Sequence, residues 1–480
     1  MATESVTKLT FRIPSQLMDE LTAHLFPGDD DEHGAVIAAS VVRTPRGTRF
    51  LAHQLFLARD GVDYVAGERG YRMLTATFVM DCVLKCAELG MAYFAIHCHG
   101  GGGHVGFSRD DLASHERGYR ALLDILDGQP AGALVFAEDA VAADIWFPSG
   151  ERGQLAEFVV TARPIRRLYS EPPARPAAAD ERYDRQSRLF GDRGQDLLKR
   201  QKVGVIGAGG IGSLVVEYLA RVGVGELVVV DPDRIEKSNV SRVVGSRLRD
   251  ARPWLTHPRV PQPLRQSFEQ FRTLKVSVAR RVAKLANRRL HFKCVPSDVV
   301  TSAAEQLVDC DYIFLAADSM QARLVFNALV HQYLIPGVQI GAKAQVDEES
   351  GDLVDLFVVV RPVGPGEGCL WCNGLIPPGK LQEEATDPVQ RRRQRYIDDE
   401  DIPAPSVITL NAIAASHAAN DYLMAVTALL ETRGWSWLRF DPRTKELFHE
   451  LPRKDATCRE CSAHGRLGRG ATMRLPIKMK

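Results

Sequence analysis

Residues 202–231 read KVGVIGAGGIGSLVVEYLARVGVGELVVVD, and this stretch decides the fold class of the larger part of the chain. A β-branched run ends in a glycine-rich turn, a helical pattern follows, and a second β-branched run ends in a carboxylate. Gly207, Gly209, Gly210 and Gly212 lie between strand and helix, where glycines permit a tight turn and close approach of a phosphate to the helix N-terminus. Asp231 stands 24 residues after Gly207, at a strand end where a carboxylate holds ribose hydroxyls. Taken alone, this pattern fits NAD as readily as ATP, so a dehydrogenase stays open at this point.

Outward from that stretch, HFKCV (291–295), YIFLAAD (312–318) and VQIGAKAQV (338–346) are short apolar runs separated by helical or irregular segments. They predict an α/β domain with a Rossmann-like, mostly parallel sheet. Residues 245–272 are rich in proline and arginine, and most of that stretch reads as an irregular surface insertion, with QRRRQR at 390–395 as a solvated helix face. Upstream, SEPPARPAAADER (170–182) has no apolar periodicity and reads as an extended, exposed linker. The expected domains are therefore 1–170 and 183–480, joined by 171–182. The first is α/β too: KLTFRI, AVIAASVV, FLAHQLFLA and AYFAIHCH read as strands, SQLMDELTAHLF and TATFVMDCVLKCAELG as helices.

Composition bounds the function. A chain of 480 residues suits two or three domains, and its formal charge of +1 argues against coating nucleic acid or an acidic membrane. There is no apolar run of the ~20 residues a spanning helix needs, and MATESVTKLTFR does not read as a signal peptide. Nine cysteines, four of them in two C-x-x-C pairs, suit a reducing cytoplasm and metal binding better than a disulfide framework.

In the first domain the sharpest feature is HCHGGGGHVGFSRDD (97–111). His97 and His99 sit one residue apart on a strand end, so both point to one face. Asp111 follows at the start of a helix, three residues after Ser108. Two imidazoles and a carboxylate are three ligands for a catalytic zinc with a fourth position for water. Glu32 is the candidate general base. This H-x-H-x8-S-x-x-D arrangement with an upstream Glu resembles the JAB/JAMM metalloproteases over roughly residues 10–165. The resemblance implies zinc on His97, His99 and Asp111, acid/base chemistry by Glu32 and oxyanion support by Ser108, in hydrolysis after the C-terminal glycine of ubiquitin-like proteins. A proline usually follows the second histidine in that family, whereas Gly100 opens a run of four glycines here.

In the second domain, RYDRQSRLFG, DPDRIEKSNVSR, LAADSMQAR and the pairs Cys369/Cys372 and Cys458/Cys461 accompany the glycine-rich turn. Together they resemble the ThiF/MoeB and ubiquitin-activating-enzyme family over most of residues 182–465. That family adenylates the C-terminal glycine carboxylate of a ubiquitin-like protein. The resemblance implies ATP held by the four glycines, Asp231, Asp233 and Asn239, with Arg242 and Lys275 on phosphates. It further makes Asp318 the Mg²⁺ partner and Arg185 a residue donated across a homodimer. The usual glycine before Lys275 is absent, and the loop from Arg242 to it is longer than the family's. Four cysteines in two C-x-x-C pairs are by themselves the ligand set of a structural zinc.

Full activating enzymes of this class form a thioester on a cysteine between the two zinc pairs, and residues 373–457 hold none. Ser406 and Thr409 lie near the expected crossover segment; an oxyester there, or transfer to a partner's nucleophile, stays open, and Ser406 could instead cap the following helix. The combined expectation is a cytoplasmic fusion, of the kind found in bacterial ubiquitin-like conjugation, with a conjugating-enzyme-like partner by analogy. Activation of a sulfur carrier to a thiocarboxylate is the alternative, and a docking module without catalysis is another.

Overall fold

The computed structural model describes residues 8–29, 31–65, 72–252, 254, 259–347, 350, 352–386, 405–431 and 434–478. The chain forms two compact units, the first mainly residues 1–175 and the second mainly 176–456. None of the described helices is long and apolar enough to cross a membrane.

The first unit contains β1 (Leu9–Pro14), α1 (Ser15–Leu25), β2 (Gly34–Thr44), β3 (Gly47–Leu57), α2 (Ala76–Leu89) and β4 (Ala92–Cys98). They are followed by α3 (Arg109–Ile125), β5 (Ala131–Phe136), β6 (Val141–Trp146), β7 (Arg152–Gly153), β8 (Glu157–Thr161) and β9 (Arg166–Leu168). The strands make one mixed sheet in the order β7-β6-β5-β4-β2-β3-β1-β8-β9. Alternation along β2 splits two cores: Ala35, Ile37 and Ala39 face Phe11, Phe50 and Phe94, while Val36 and Ala38 face Cys82, Val83 and Cys86 of α2. Each buried phenylalanine contributes about 1.5–3 kcal/mol, and Phe11 contacts Phe50, Phe94 and Phe158. Register then places chemistry. Gly34 is the antiparallel partner of His97, so Glu32, two residues upstream, arrives beside the histidines.

The second unit begins with α4 (Asp184–Arg200), broken at Gly191, then β10 (Lys202–Ile206), α5 (Gly210–Val222) and β11 (Glu226–Val230). Next come α6 (Leu248–Ala251), α7 (Gln262–Glu269), α8 (Lys275–Ala286), β12 (His291–Val295), β13 (Tyr312–Leu315), α9 (Met320–Gln332) and β14 (Gly337–Val346). It continues with β15 (Leu353–Val363), α10 (Pro378–Ala385), α11 (Ile408–Val426), β16 (Trp437–Asp441) and β17 (Glu446–Glu450). The sheet order is β12-β11-β10-β13-β14-β15-β16-β17. The first five strands are parallel, and the order reverses between β10 and β13, the position where open α/β sheets bind ligands.

The sheet is mostly parallel, as expected, but beyond β14 it turns antiparallel through β15, β16 and β17, which local patterning did not reveal. The 245–272 stretch is not merely irregular, because it carries the helices α6 and α7, the latter entered through prolines at its start. Ser406 does not cap α11; Val407 holds that position without a side-chain bond. The 390–395 run lies outside the described residues.

Candidate functional site

A cleft of about 850 Å³ opens at the C-terminal ends of β10 and β13. Its floor is the glycine-rich turn, and each glycine there has a different steric reason. Gly207 has φ +93°, and a Cβ on it would come within 2.8 Å of the Ala316 carbonyl oxygen. A Cβ on Gly212 would overlap the Gly207 carbonyl, and one on Gly210 would overlap the Asn411 amide. Above Gly209, the N-cap of α5, there is open space, the room an anion needs at a helix N-terminus.

Asp231 is buried at the end of β11 and accepts hydrogen bonds from the Ala208 N–H (2.6 Å) and the Asp233 N–H (2.8 Å). Burial pushes its carboxyl above the usual range, and the positive charge of Lys275 opposes the rise. Lys275 is the first residue of α8, and its Nζ bonds Asp233 Oδ2 at 2.7 Å. Arg242 and Asp318 also line the cleft, and no oppositely charged group of the described residues lies within 4.0 Å of either. The cleft thus gathers Gly207, Gly209, Gly210, Asp231, Asp233, Arg242, Lys275 and Asp318, while Gly212 packs directly behind the turn.

Two expected residues stand apart. Asn239 is buried, and its Oδ1 accepts from the Glu236 N–H at 3.1 Å, closing a helical turn away from the cleft wall. Arg185 is exposed in the first turn of α4, outside its own chain's cleft. Sequence reasoning missed Asn411, whose Nδ2 donates to Ser406 Oγ at 3.2 Å, and Gln339, Lys343 and Arg361 of the β14–β15 hairpin. A charged residue inside the apolar run LFVVVRPV was the available signal for Arg361.

Cys369, Cys372, Cys458 and Cys461 are all buried, with their sulfurs within 4.8 Å of one another. Backbone N–H groups of Cys372 and Glu460 point at the sulfurs of Cys369 and Cys458, both at 3.4 Å, as suits thiolates. Arg453 braces the first pair by donating to the Cys372 carbonyl, and Asn373 Nδ2 donates to the carbonyls of Cys369 and Arg453. Zinc–sulfur bonds of about 2.3 Å in a tetrahedron call for sulfurs about 3.8 Å apart. The cluster fits a structural zinc.

In the first unit, His97 Nε2 and His99 Nε2 face one another at 3.2 Å, and Asp111 Oδ2 lies 3.5 and 3.7 Å from them. Three donor atoms converging on one half-buried spot is the chemistry of a metal ligand set, and these residues fit zinc. Glu32 Oε1 is 3.9 Å from His99 Nε2, and burial raises its carboxyl above the ordinary range. Burial also pushes Asp111 upward, but hydrogen bonds and charge from His97 and hydrogen bonds from Ser108 outweigh it and hold the carboxyl well below the usual range. Ser108 is the N-cap of α3: its Oγ accepts from the Asp111 N–H (3.1 Å), while its own N–H donates to Asp111 Oδ2 (2.8 Å). One turn on, buried His115 bonds Asp144 Oδ2 through Nδ1 at 2.7 Å.

The family model described as "ThiF family" matches residues 183–461, more than half of the chain. The chain belongs to the ThiF family. Among curated relatives, the SAMP-activating enzyme E1 of Haloferax volcanii is 38% identical over 199 residues, 41% of this chain and 62% of that protein. The sulfur carrier protein adenylyltransferase of Thermus thermophilus is 50% identical over 66 residues, 13% of this chain and 24% of that one. The adenylyltransferase and sulfurtransferase MOCS3 of Arabidopsis thaliana is 29% identical over 207 residues, 41% and 40% of the two chains. The alignments thus span less than two thirds of these relatives' lengths. Among solved structures, E. coli MccB with ATP aligns at 19% identity and a TM-score of 0.42, covering 60% of this chain and 76% of that one. The glycine-rich turn, Asp231 and all four zinc-pair cysteines fall inside the ThiF match, and the α/β fold of residues 8–175 lies before it.

Proposed function

We propose that the ThiF unit uses ATP to adenylate the C-terminal glycine carboxylate of a ubiquitin-like protein for conjugation. We propose further that the N-terminal unit is a JAB/JAMM-type zinc (iso)peptidase acting on the same end of such a protein. The first part rests above all on the meeting, in one cleft, of a glycine-rich helix N-terminus, a buried Asp231, the cations Arg242 and Lys275, and the carboxylate Asp318. Hydride transfer needs no such pair of cations, whereas displacement at phosphorus does. The relatives named for activating a SAMP and a sulfur carrier protein support this substrate class.

In the proposed reaction a carboxylate oxygen of the substrate attacks the α-phosphorus. The bond to the bridging oxygen breaks and pyrophosphate leaves. Asp231 orients the ribose through its hydroxyls, and the N-terminus of α5 faces the phosphates. Arg242 and Lys275 take up the charge that grows on the leaving group. Mg²⁺, which Asp318 would hold, adds charge neutralisation on the phosphates. Arg185 would act from a second copy of the chain.

The five thiols outside the four-cysteine cluster suit a thioester poorly, since Cys82, Cys86, Cys98 and Cys310 are buried and Cys294 is half-buried. Burial raises Cys82 and Cys86 to about 12, and also lifts Cys98 and Cys294. We propose direct transfer from the adenylate to a nucleophile on a conjugating-enzyme-like partner, with an oxyester on Ser406 or Thr409 as the other route. In the alternative reading that nucleophile is sulfide and the product a thiocarboxylate.

In the peptidase, His97, His99 and Asp111 would hold a zinc, which would supply Lewis acidity toward water and the scissile carbonyl. Glu32, with its raised carboxyl, takes the water's proton and returns it to the leaving amine. The Ser108 hydroxyl, which uses its oxygen to cap α3, keeps its proton for the oxyanion.

Intact-mass spectrometry tests both halves with a ubiquitin-like protein carrying residues beyond its glycine, with and without Mg-ATP. Loss of the tail without ATP, absent in Glu32→Ala, and an ATP-dependent acyl-adenylate after trimming are the expected results. A thiocarboxylate appearing only with a sulfide source would favour the alternative. No mass change with a bound partner would refute both activities.

A further inference from the structure

Besides the glycine-rich turn, the ThiF cleft is lined by the β14–β15 hairpin. Gln339, Gly341 and Lys343 of β14 and their register partners Arg361, Val359 and Phe357 all line the cleft. Gly341 leaves the middle of this lining bare, because a Cβ there would press within 3.3 Å of Val359. At the inner end lies Arg361. Its Nη1 donates to Gln339 Oε1 at 2.8 Å and its guanidinium lies 5.5 Å from the Trp437 ring. No carboxylate of the described residues comes within 4.0 Å of it.

A second arginine, Arg323 of α9, lines the same cleft. Arg323 Nη1 donates to the Leu375 carbonyl at 2.9 Å, and its Nε is buried without a partner. Neither guanidinium has a carboxylate of the described residues within 4.0 Å, and Asp318 and Glu384 act on Arg323, and Glu450 on Arg361, only from farther away, so both cations lack the direct anion or strong acceptors that a buried charge needs. Burial and the neighbouring charge of Arg323 lower Arg361 to about 10. Arginine's planar fork is the side chain that best matches a carboxylate, and a neutral amide such as Gln339 can hold the fork in plane without neutralising it.

We infer that Arg361, held by Gln339 and backed by Arg323, binds a carboxylate of the incoming polypeptide, making it a specificity-determining residue of the cleft. The inference rests on the adenylation reading and adds the recognition of the acyl substrate, a role separate from the nucleotide contacts at the glycine-rich turn. Two carboxylates of a polypeptide tail could fill the place: its C-terminus, or an acidic side chain just before the terminal glycines.

The test is calorimetric binding of three acetylated peptides to the full chain with a non-hydrolysable ATP analogue: Ala-Ala-Gly-Gly as the free acid, the same peptide as its amide, and Ala-Glu-Gly-Gly as its amide. In the native protein one carboxylate-bearing peptide should bind at least tenfold tighter than the neutral amide, and which one does identifies the source. Arg361→Gln should abolish that advantage and leave nucleotide affinity unchanged. Gln339→Glu gives a second variant that keeps the arginine; the new carboxylate neutralises it from within, so the advantage should again vanish. A carboxylate that confers no advantage in the native protein, or an advantage that survives both substitutions, would overturn the inference. Failure of the native protein to bind the nucleotide analogue would instead overturn the adenylation reading beneath it.

Discussion

Asp144→Asn should loosen the helix that carries the metal-site carboxylate, and the structure fixes the size of the effect. Asp144 on β6 is buried and accepts four hydrogen bonds: His115 Nδ1 at 2.7 Å, Trp146 Nε1 at 3.2 Å, Arg152 Nε at 2.5 Å and Arg152 Nη2 at 2.8 Å. Burial pushes its carboxyl up, but the bonds from His115, Arg152 and Trp146 outweigh it and bring the value from 3.8 to about 2. A depression of that size corresponds to about 2 kcal/mol. The Arg152 side chain is 37% exposed, so screening leaves about 1–2 kcal/mol. A folded-state value below the unfolded one means that this stability is fully present above pH ~4 and is lost as pH falls toward ~2. Hydrogen exchange over residues 109–125, measured at pH 7 and in the acid range, is the assay. His115 lies one turn after Asp111 on α3, so the variant should also hold zinc more weakly at His97, His99 and Asp111. Asn accepts through one oxygen and carries no charge, so the variant at pH 7 should show about 5–30-fold faster exchange over α3. Its acid sensitivity between pH 4 and 2 should be flatter than the native protein's. Equal protection in both proteins at pH 7 would refute the reasoning.

Gly212→Ala places a methyl on the Gly207 carbonyl. The helix gains about 1 kcal/mol of propensity but loses about 1–3 kcal/mol to overpacking, and α5 must move, so ATP affinity should fall at least tenfold by calorimetry. Glu32→Gln should keep zinc content, read by elemental analysis, and lose peptidase turnover by 100-fold or more; retained turnover would move the base elsewhere. Cys458→Ser should remove one zinc equivalent and lower the thermal midpoint by several degrees, with an unchanged midpoint excluding a structural metal there.

What the sequence disclosed was whatever short spacing can encode. The glycine-rich turn with Asp231, the His-x-His pair with Ser108 and Asp111, and each C-x-x-C pair taken singly lie within short stretches of chain, so local sequence carries their geometry, whereas the meeting of the two cysteine pairs depends on the tertiary fold. Glu32 was legible only as a nearby acid, and the β2–β4 register is what brings it to the histidines. Asn411 stayed hidden because α11 meets the glycine turn only through tertiary packing, across a sequence separation of about 200 residues. Arg361 looked like a charge in an apolar strand, since its meaning depends on the antiparallel hairpin that places it across from Gln339. Asn239, expected at the nucleotide, also caps a turn through the backbone N–H of Glu236, a role its sequence context did not announce. Short helices such as α6 and α7 escaped because prolines and arginines dominate their composition.

The most direct test of the central claim is ATP–pyrophosphate exchange with a ubiquitin-like protein that ends in glycine. The account predicts exchange that depends on that protein, disappears when its terminal carboxylate is amidated, and drops at least 100-fold in Asp318→Ala. Exchange that proceeds equally with the amidated protein, or none at all with a protein that demonstrably binds, would contradict it.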